Sequence, residues 1–426
     1  MHVLLLPSWY PETPSSLDGI FFRQQAHALQ RAGLRVGVVA PLFRSPRRLR
    51  EIFSGRYGTE CFSDGPIPTY TRHSVYFFPR IPYLDRERWV AAGMRLFERY
   101  LAEQGRPDIL HAHAVNYGGI LAHRISRRHG IPYVITEHSS TYARGLIRPW
   151  QREAMRAAVD GAAARFAVSP DFCRLLASEY GGSEWRYLPN ILGAAFCEPL
   201  PERGFQAASN GFTFCSVAHL NRNKGFDVLL DAFARALEKR PDLRLKIGGG
   251  GVEEAALKRQ AGRLKIDAAV DFLGALDNGA VLRLMRGSDA FVLASRNETF
   301  GVVFIEALSQ GLPAIATRCG GPEGIVNGNN GLLVPKEQPE ALAEALLEMA
   351  ENRARYPAEA LRAACLEEFG EQAVTGRLKA IRQIVFRRPP LLKPNKGRQP
   401  PGLPIMIGGR LKKRRQPTGA ALCLPV

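Results

Sequence analysis

Short apolar runs alternate with helix-length segments along this chain, and the alternation occurs twice. The first series comprises residues 3–6, 35–40, 108–111, 133–137 and 165–169, with a helix predicted over 20–32. Apolar runs of this length, separated by helices, belong to parallel sheets covered on both faces. The second series has strands predicted at 212–218, 243–247, 270–273, 290–294, 313–317 and 331–334. Its helices are predicted at 227–238, 253–265, 281–286, 302–310 and 339–350. Two such series imply an α/β chain of two Rossmann-like, doubly wound domains with a cleft between them.

Residues 189–210 carry Pro, Gly and small polar side chains without periodicity, so the boundary is placed there. The expected division is an N-terminal domain over 1–195 and a C-terminal domain over 205–386. The last two helical patterns, 358–369 and 372–385, are available to pack back on the first domain. Beyond them, 387–426 is rich in Pro, Gly, Lys and Arg and reads as a disordered tail.

Charge is unevenly spread. The 426-residue chain carries a formal +18, and residues 387–426 hold ten Lys or Arg and no acid, which leaves +8 for the rest. The basic tail has three readings, contact with an anionic membrane surface, nucleic-acid binding or a solvated extension, and the lack of an aromatic residue after Phe386 weakens the nucleic-acid one. The apolar start, residues 3–6, ends at Pro7 and is too short for a secretory signal. No apolar stretch is long enough to span a membrane. The seven cysteines form no CxxC pair, which fits a reducing compartment. The expected location is the cytoplasm, peripheral to the inner face of the membrane.

Chemistry concentrates in residues 295–313, which leave a strand, cross a loop and enter a helix. Ligands of open α/β sheets bind beyond the carboxyl ends of strands, where this loop must lie. The backbone amides of Phe300, Gly301 and Val302 open the helix and are free to donate to hydroxyls or phosphate. Glu298 stands just outside the helix and Glu306 about a turn and a half inside it. Each carboxylate offers two acceptor oxygens, enough for a pair of sugar hydroxyls. In the first half, Gly19 either lets the backbone approach a diphosphate or simply serves a turn before a helix. His111 and His113 share a strand face, but no further metal ligands cluster near them in sequence. Gly248 to Gly251 read as a tight turn, since the acids Glu253 and Glu254 that follow would repel phosphate.

The 295–313 segment resembles the E-x7-E signature of glycosyltransferase family 4, retaining enzymes of the GT-B fold. Further likeness lies in residues 320–326 with 330–334, in 217–227, in 271–274 and in 188–190. In the first half, residues 7–33 and 107–113 are similar but less specific. The resemblance spans about residues 1–385.

It implies a nucleotide-sugar donor, UDP- or GDP-linked, held by the second domain, and a glycan or lipid-linked acceptor held by the first. Glu306 would hold the ribose hydroxyls and Glu298 the donor sugar. Lys224 would neutralise the diphosphate, and Leu276 would lie near the base. His138 matches a family histidine near the reacting sugar. Where the family has an arginine five residues before the lysine, this chain has His219, and Arg222 is the nearby candidate to supply that charge. No Asp-x-Asp metal motif occurs, so no cofactor or metal is expected. The activity implied is metal-independent hexosyl or N-acetylhexosaminyl transfer in polysaccharide or glycolipid assembly. The competing readings are a noncatalytic sugar-nucleotide-binding protein and another GT-B enzyme such as a sugar-nucleotide epimerase.

Overall fold

Two sheets form, each with its earliest Rossmann strand in the interior. The computed structural model describes residues 1–12, 19–45, 55–78, 80–200 and 211–386. The predicted basic tail and residues 201–210 of the predicted boundary lie outside the described residues. The first sheet uses β1 (His2–Pro7), β2 (Arg35–Arg44), β3 (Gly58–Asp64), β4 (Ile67–Val75), β5 (Ile109–His113), β6 (Tyr133–Glu137), β7 (Ala164–Ala167) and β8 (Arg186–Tyr187). Its order is β3-β4-β2-β1-β5-β6-β7-β8. The second sheet uses β9 (Phe212–Val217), β10 (Leu243–Gly248), β11 (Val270–Phe272), β12 (Ala290–Leu293), β13 (Ala314–Thr317) and β14 (Gly331–Val334), in the order β11-β10-β9-β12-β13-β14. This second order is the doubly wound pattern 3-2-1-4-5-6, with its topological switch between β9 and β12.

The helices follow the expected alternation. Those of the first half are α1 (Ile20–Arg31), α2 (Pro82–Gln104), α3 (Ile120–His129), α4 (Pro149–Asp160), α5 (Pro170–Glu179) and α6 (Ala194–Cys197). Those of the second half are α7 (Phe226–Lys239), α8 (Glu254–Arg263), α9 (Asn278–Arg286), α10 (Val302–Ser309), α11 (Pro339–Glu351), α12 (Ala358–Phe369) and α13 (Glu371–Phe386). None of the described helices is long and apolar enough to cross a membrane.

The first sheet is parallel except at one edge. β3 pairs antiparallel with β4, from Gly58 opposite His73 to Asp64 opposite Ile67. This hairpin escaped the apolar-run reading for a physical reason. β3 is an edge strand with every residue partly or fully exposed, so it needs no apolar run, and β4 fills buried positions with Thr69, Thr71 and His73, which breaks its run.

Burial matches a sheet covered on both faces. β1 and β5 are buried at every position, as are β12 and β13. One apolar cluster holds Leu4, Leu6, Trp89 and Phe97 of the first half and extends through Phe196 to Phe214, Phe291 and Phe304 of the second. The other face of the first sheet packs Val3, Leu5 and Val38 with Val374 and Leu378 of α13. The last helix therefore crosses back to the first sheet, where Arg31 and Glu371 pair at 2.6 Å.

Candidate active site

Parallel strands deliver their following loops to one edge, and at a switch point two such loops diverge and leave a crevice. In the second sheet those are the loops after β9 and β12. The first carries Lys224 in a single 3-10 turn, Arg222–Lys224, and the second carries Glu298. Lys224 Nζ donates to Glu298 Oε2 at 2.5 Å, with 22% and 15% of the two side chains exposed. Both groups are therefore held near the surface of the crevice rather than sealed in the core.

A strap of polar contacts fixes that meeting. Arg296 grips Asp227 at 2.9 and 2.8 Å, contacts Glu337 and donates to the Arg222 carbonyl. Its amide donates to the Asn223 carbonyl at 2.7 Å, and Asn223 Nδ2 donates to the Asn297 carbonyl at 2.8 Å. The Asp227 and Glu337 carboxylates hold the Arg296 guanidinium well above its ordinary pKa. Gly225 makes the approach possible. It sits at φ 65°, and a Cβ there would lie 1.9 Å from the Ala294 carbonyl oxygen. Arg296, Asn223 and Asn297 lie within residues 217–227 and 295–313, yet nothing in the sequence distinguished them from solvated loop residues.

The helix-opening amides stand beside Glu298. Those of Phe300, Gly301 and Val302 find no acceptor among the described residues. Gly301, at φ 94°, caps α10. The Phe300 ring is core, 2% exposed and edge-on to Phe369 at 5.8 Å, so only its backbone reaches the crevice. Val302 is half-buried, and Glu306 is half-buried one turn further along. Burial pushes the Glu306 carboxyl up to about 7.

His219 and Arg222 are both exposed in the loop after β9, with no side-chain partner among the described residues. Leu276 is half-buried over Gly248, where a Cβ would meet its Cδ1 at 2.6 Å. The glycine run at 248–251 does more than turn. A Cβ on Gly249 would lie 1.9 Å from the Ala218 carbonyl oxygen, and one on Gly251 2.3 Å from that of Leu220. These glycines let the His219 loop lie directly on the loop after β10.

Across the crevice, the first sheet contributes the loops after β1, β5 and β6. His138 follows β6 and is 8% exposed. Its Nε2 faces His113 Nδ1 at 3.1 Å, while His111 Nε2 meets Thr136 Oγ1 at 2.8 Å. Burial, with His111 nearby, lowers His138 to about 3, so its imidazole is neutral at any working pH. Among the described residues, its Nδ1 and His113 Nε2 are buried without a hydrogen-bond partner. Glu137, pushed up to about 6 by burial, accepts the amides of Val115, Ser139 and His138 and so shapes this loop. Gly19 caps α1 at φ 76°, and a Cβ there would sit 3.1 Å from the Trp9 carbonyl oxygen and 3.2 Å from Tyr10 Cα. Ala114 and Tyr117, at φ 67° and 66°, put backbone strain at the β1–β5 switch point, a common mark of functional loops.

The two sides touch. Thr299 Oγ1 donates to the His138 carbonyl at 3.0 Å, joining the Glu298 loop to the β6 loop. Thr299 was absent from the sequence-level candidates.

The family described as "Glycosyl transferases group 1" matches residues 202–365, and "Glycosyltransferase Family 4" matches residues 19–192. A phosphatidyl-myo-inositol mannosyltransferase from Mycobacterium leprae is 30% identical over 311 residues, covering 69% of this chain and 79% of that one. The chain belongs to glycosyltransferase family 4. A D-inositol 3-phosphate glycosyltransferase from Pseudarthrobacter chlorophenolicus is 28% identical over 351 residues, covering 76% of this chain and 80% of the relative.

Solved structures agree on the fold of this glycosyltransferase. Sucrose-phosphate synthase from Thermosynechococcus elongatus superposes with a TM-score of 0.73 at 19% identity, covering 91% of this chain and 99% of that one. Anabaena HepE in complex with UDP and glucose gives 0.65 at 18% identity, covering 90% and 99%. Both comparisons place the chain among GT-B proteins, the fold that the two sheet orders display.

Proposed function

We propose that this glycosyltransferase takes a hexosyl or N-acetylhexosaminyl group from a UDP- or GDP-sugar, without a metal ion. It transfers that group, with retention, to a lipid-linked or other glycan acceptor in glycolipid or polysaccharide assembly. The observation that carries the reading is the Lys224–Glu298 contact at the β9–β12 switch point, beside three amides with no acceptor among the described residues.

Breaking the bond between sugar and phosphate leaves an electron pair on the diphosphate. Lys224 supplies a cation there, and the exposed Arg222 and His219 stand in the same loop. Preorganised positive groups and amides aimed at developing charge are worth several kcal/mol in such a site. They supply the charge that a divalent ion would otherwise bring. Glu298, released from Lys224 as phosphate takes the ammonium, accepts hydroxyls of the donor sugar beside the amides of Phe300 to Val302. Glu306 accepts the ribose hydroxyls, and Leu276 borders the base. His138, neutral, contributes a hydrogen bond at the sugar rather than a titrating proton.

The acceptor lies on the first sheet's side, over residues 1–195, and the donor on that of residues 205–386. A cavity of about 310 Å³ lined by Tyr10, Glu12, Arg23, Glu60, Phe62 and Asp64 opens beside Gly19 and supports the acceptor assignment. The named relatives act on phosphatidyl-myo-inositol and D-inositol 3-phosphate, and HepE is seen with UDP. Both facts support a nucleoside diphosphate leaving group and a polyol or lipid acceptor for this chain. A cytoplasmic, membrane-peripheral setting follows from the same reading.

The test is thermal shift against UDP-, GDP- and ADP-sugars with EDTA present, since a ligand that binds only the native state must raise the melting temperature. A shift with one nucleotide fixes the donor base. With the donor known, Glu298→Ala should abolish product. Turnover at the wild-type rate in that variant would remove Glu298 from the site.

A further inference from the structure

Side chains along a strand point to alternate faces, so Glu60, Phe62 and Asp64 of β3 share one. That face and the residues just after β1 enclose the cavity of about 310 Å³ beside Gly19. The edge hairpin therefore does more than finish the sheet. It walls one side of a pocket at the low end of the size range for small-molecule sites. Tyr10 and Glu12 follow β1, so the pocket begins at the same carboxyl edge as the crevice.

Each guanidinium at this wall is already paired. Arg23 holds Asp64 through Nε and Nη2 at 2.6 and 2.7 Å, and His27 meets the same carboxylate at 3.0 Å. Arg44 holds Glu12 through Nη2 at 2.8 Å, and Arg56 reaches Glu60 at 3.4 Å. Three carboxylates thus answer three guanidinium groups, and the wall offers no surplus cation to an anion. Hydrogen-bonding capacity remains. Both ionic contacts of Glu60, to Arg56 at 3.4 Å and to His73 at 3.6 Å, go to Oε2, which leaves Oε1 to accept. Arg56 meets Glu60 through Nη1, and a guanidinium has five N–H donors.

Tyr10 points to a ligand. It is 4% exposed, and its hydroxyl is buried with no hydrogen-bond partner among the described residues. A buried hydroxyl is rarely left unpaired, and one that lines a cavity is accounted for by a partner brought into it. Phe62, 46% exposed, adds an aromatic face to the same wall. Paired charges, an unused hydroxyl and a ring face suit a molecule that is uncharged, rich in hydroxyls and apolar on its C–H face.

We propose that this cavity holds an uncharged sugar ring of the acceptor, its C–H face against Phe62 and one hydroxyl on Tyr10. A phosphorylated acceptor would set its anion against Glu12, Glu60 and Asp64, so the acceptor unit seated here is a neutral glycan. The inference rests on the acceptor reading proposed above and narrows it.

The test is saturation-transfer NMR on the full chain, with the methyl glycosides of glucose, galactose, mannose and N-acetylglucosamine as probes. Wild type should transfer saturation to at least one of them. Tyr10→Phe should weaken binding of that glycoside about three- to tenfold, the worth of one hydrogen bond. Phe62→Ala should weaken it about tenfold or more through the lost ring contact. Both variants should keep the wild-type melting temperature, since the hydroxyl has no internal partner and the ring is half in water. Inorganic phosphate should not displace the glycoside. No transfer to any glycoside, undiminished binding in either variant, or displacement by phosphate overturns the proposal. Thermal shift with nucleotide-sugars on the same proteins separates the two readings. A donor shift without glycoside binding removes the cavity assignment alone. Glycoside binding without a donor shift leaves a sugar-binding cavity and removes the transferase reading.

Discussion

The hydroxyl of Thr299 donates to the carbonyl of His138 at 3.0 Å, and this bond runs from the loop carrying Glu298 to the end of β6. Thr299 is 9% exposed, so water does not readily replace the lost partner. Thr299→Val keeps the shape and deletes the bond, worth about 1 kcal/mol. Expressed in the transition state, that is about a fivefold fall in kcat. Donor affinity should change little, and Thr299→Ser should recover the rate. Steady-state kinetics of the three proteins checks it, and equal kcat values would show that the contact does not matter to catalysis.

Lys224→Met removes the cation that faces Glu298. The expected loss is about 100-fold or more in kcat, the scale seen when one preorganised group is deleted from a transition-state site. Donor binding should weaken less, because Glu306 and the α10 amides remain. Single-turnover rates at saturating donor are the readout. A Lys224→Met protein within a few-fold of wild type would shift the leaving-group role to Arg222 and His219.

Glu306 makes the site pH-dependent. Its carboxyl is pushed from 4.5 up to about 7 by burial. Between those values the folded state holds more protons than the unfolded one, so this group's contribution to stability is full below 4.5 and lost as pH rises through 7. Only the ionised form accepts two ribose hydroxyls, so nucleotide affinity should rise over the same window. Glu306→Gln should be about 1–3 kcal/mol more stable than wild type at alkaline pH. It should also bind donor more weakly and with a flat pH profile. Denaturant melts and nucleotide titrations across the acid and alkaline range test both halves. His138, already neutral, should add no inflection of its own.

Two glycines give opposite expectations. Gly225→Ala places a Cβ 1.9 Å from the Ala294 carbonyl oxygen at φ 65°, so it should cost about 3 kcal/mol or more and displace Lys224. Gly262, inside α8 with nothing within 4 Å of a Cβ, should gain about 0.5–1 kcal/mol as alanine. Thermal melts of the two variants decide the matter.

The sequence by itself determined the two series of buried strands, because a strand covered on both faces must be apolar along its whole length. Every predicted strand of the second half appears within about two residues of its predicted limits, and β14 matches at both ends. The chemistry of residues 295–313 was also legible, since a strand, a loop and a helix start dictate where amides and carboxylates fall. The hairpin β3–β4 was not, because β3 at the edge is only partly buried and β4 buries Thr69, Thr71 and His73 among its apolar residues, which breaks the apolar run. The rest was decided by the tertiary structure. Lys224 and Glu298 are 74 residues apart and meet only because β9 and β12 are neighbours at the switch point. Arg296 and Thr299 look like ordinary polar residues until folding supplies Asp227 and the His138 carbonyl as partners, and His113, a candidate metal ligand on sequence, instead meets the His138 ring. Burial, which sets the proton affinities of Glu306 and His138, is a property of the packed chain and has no local sequence signal.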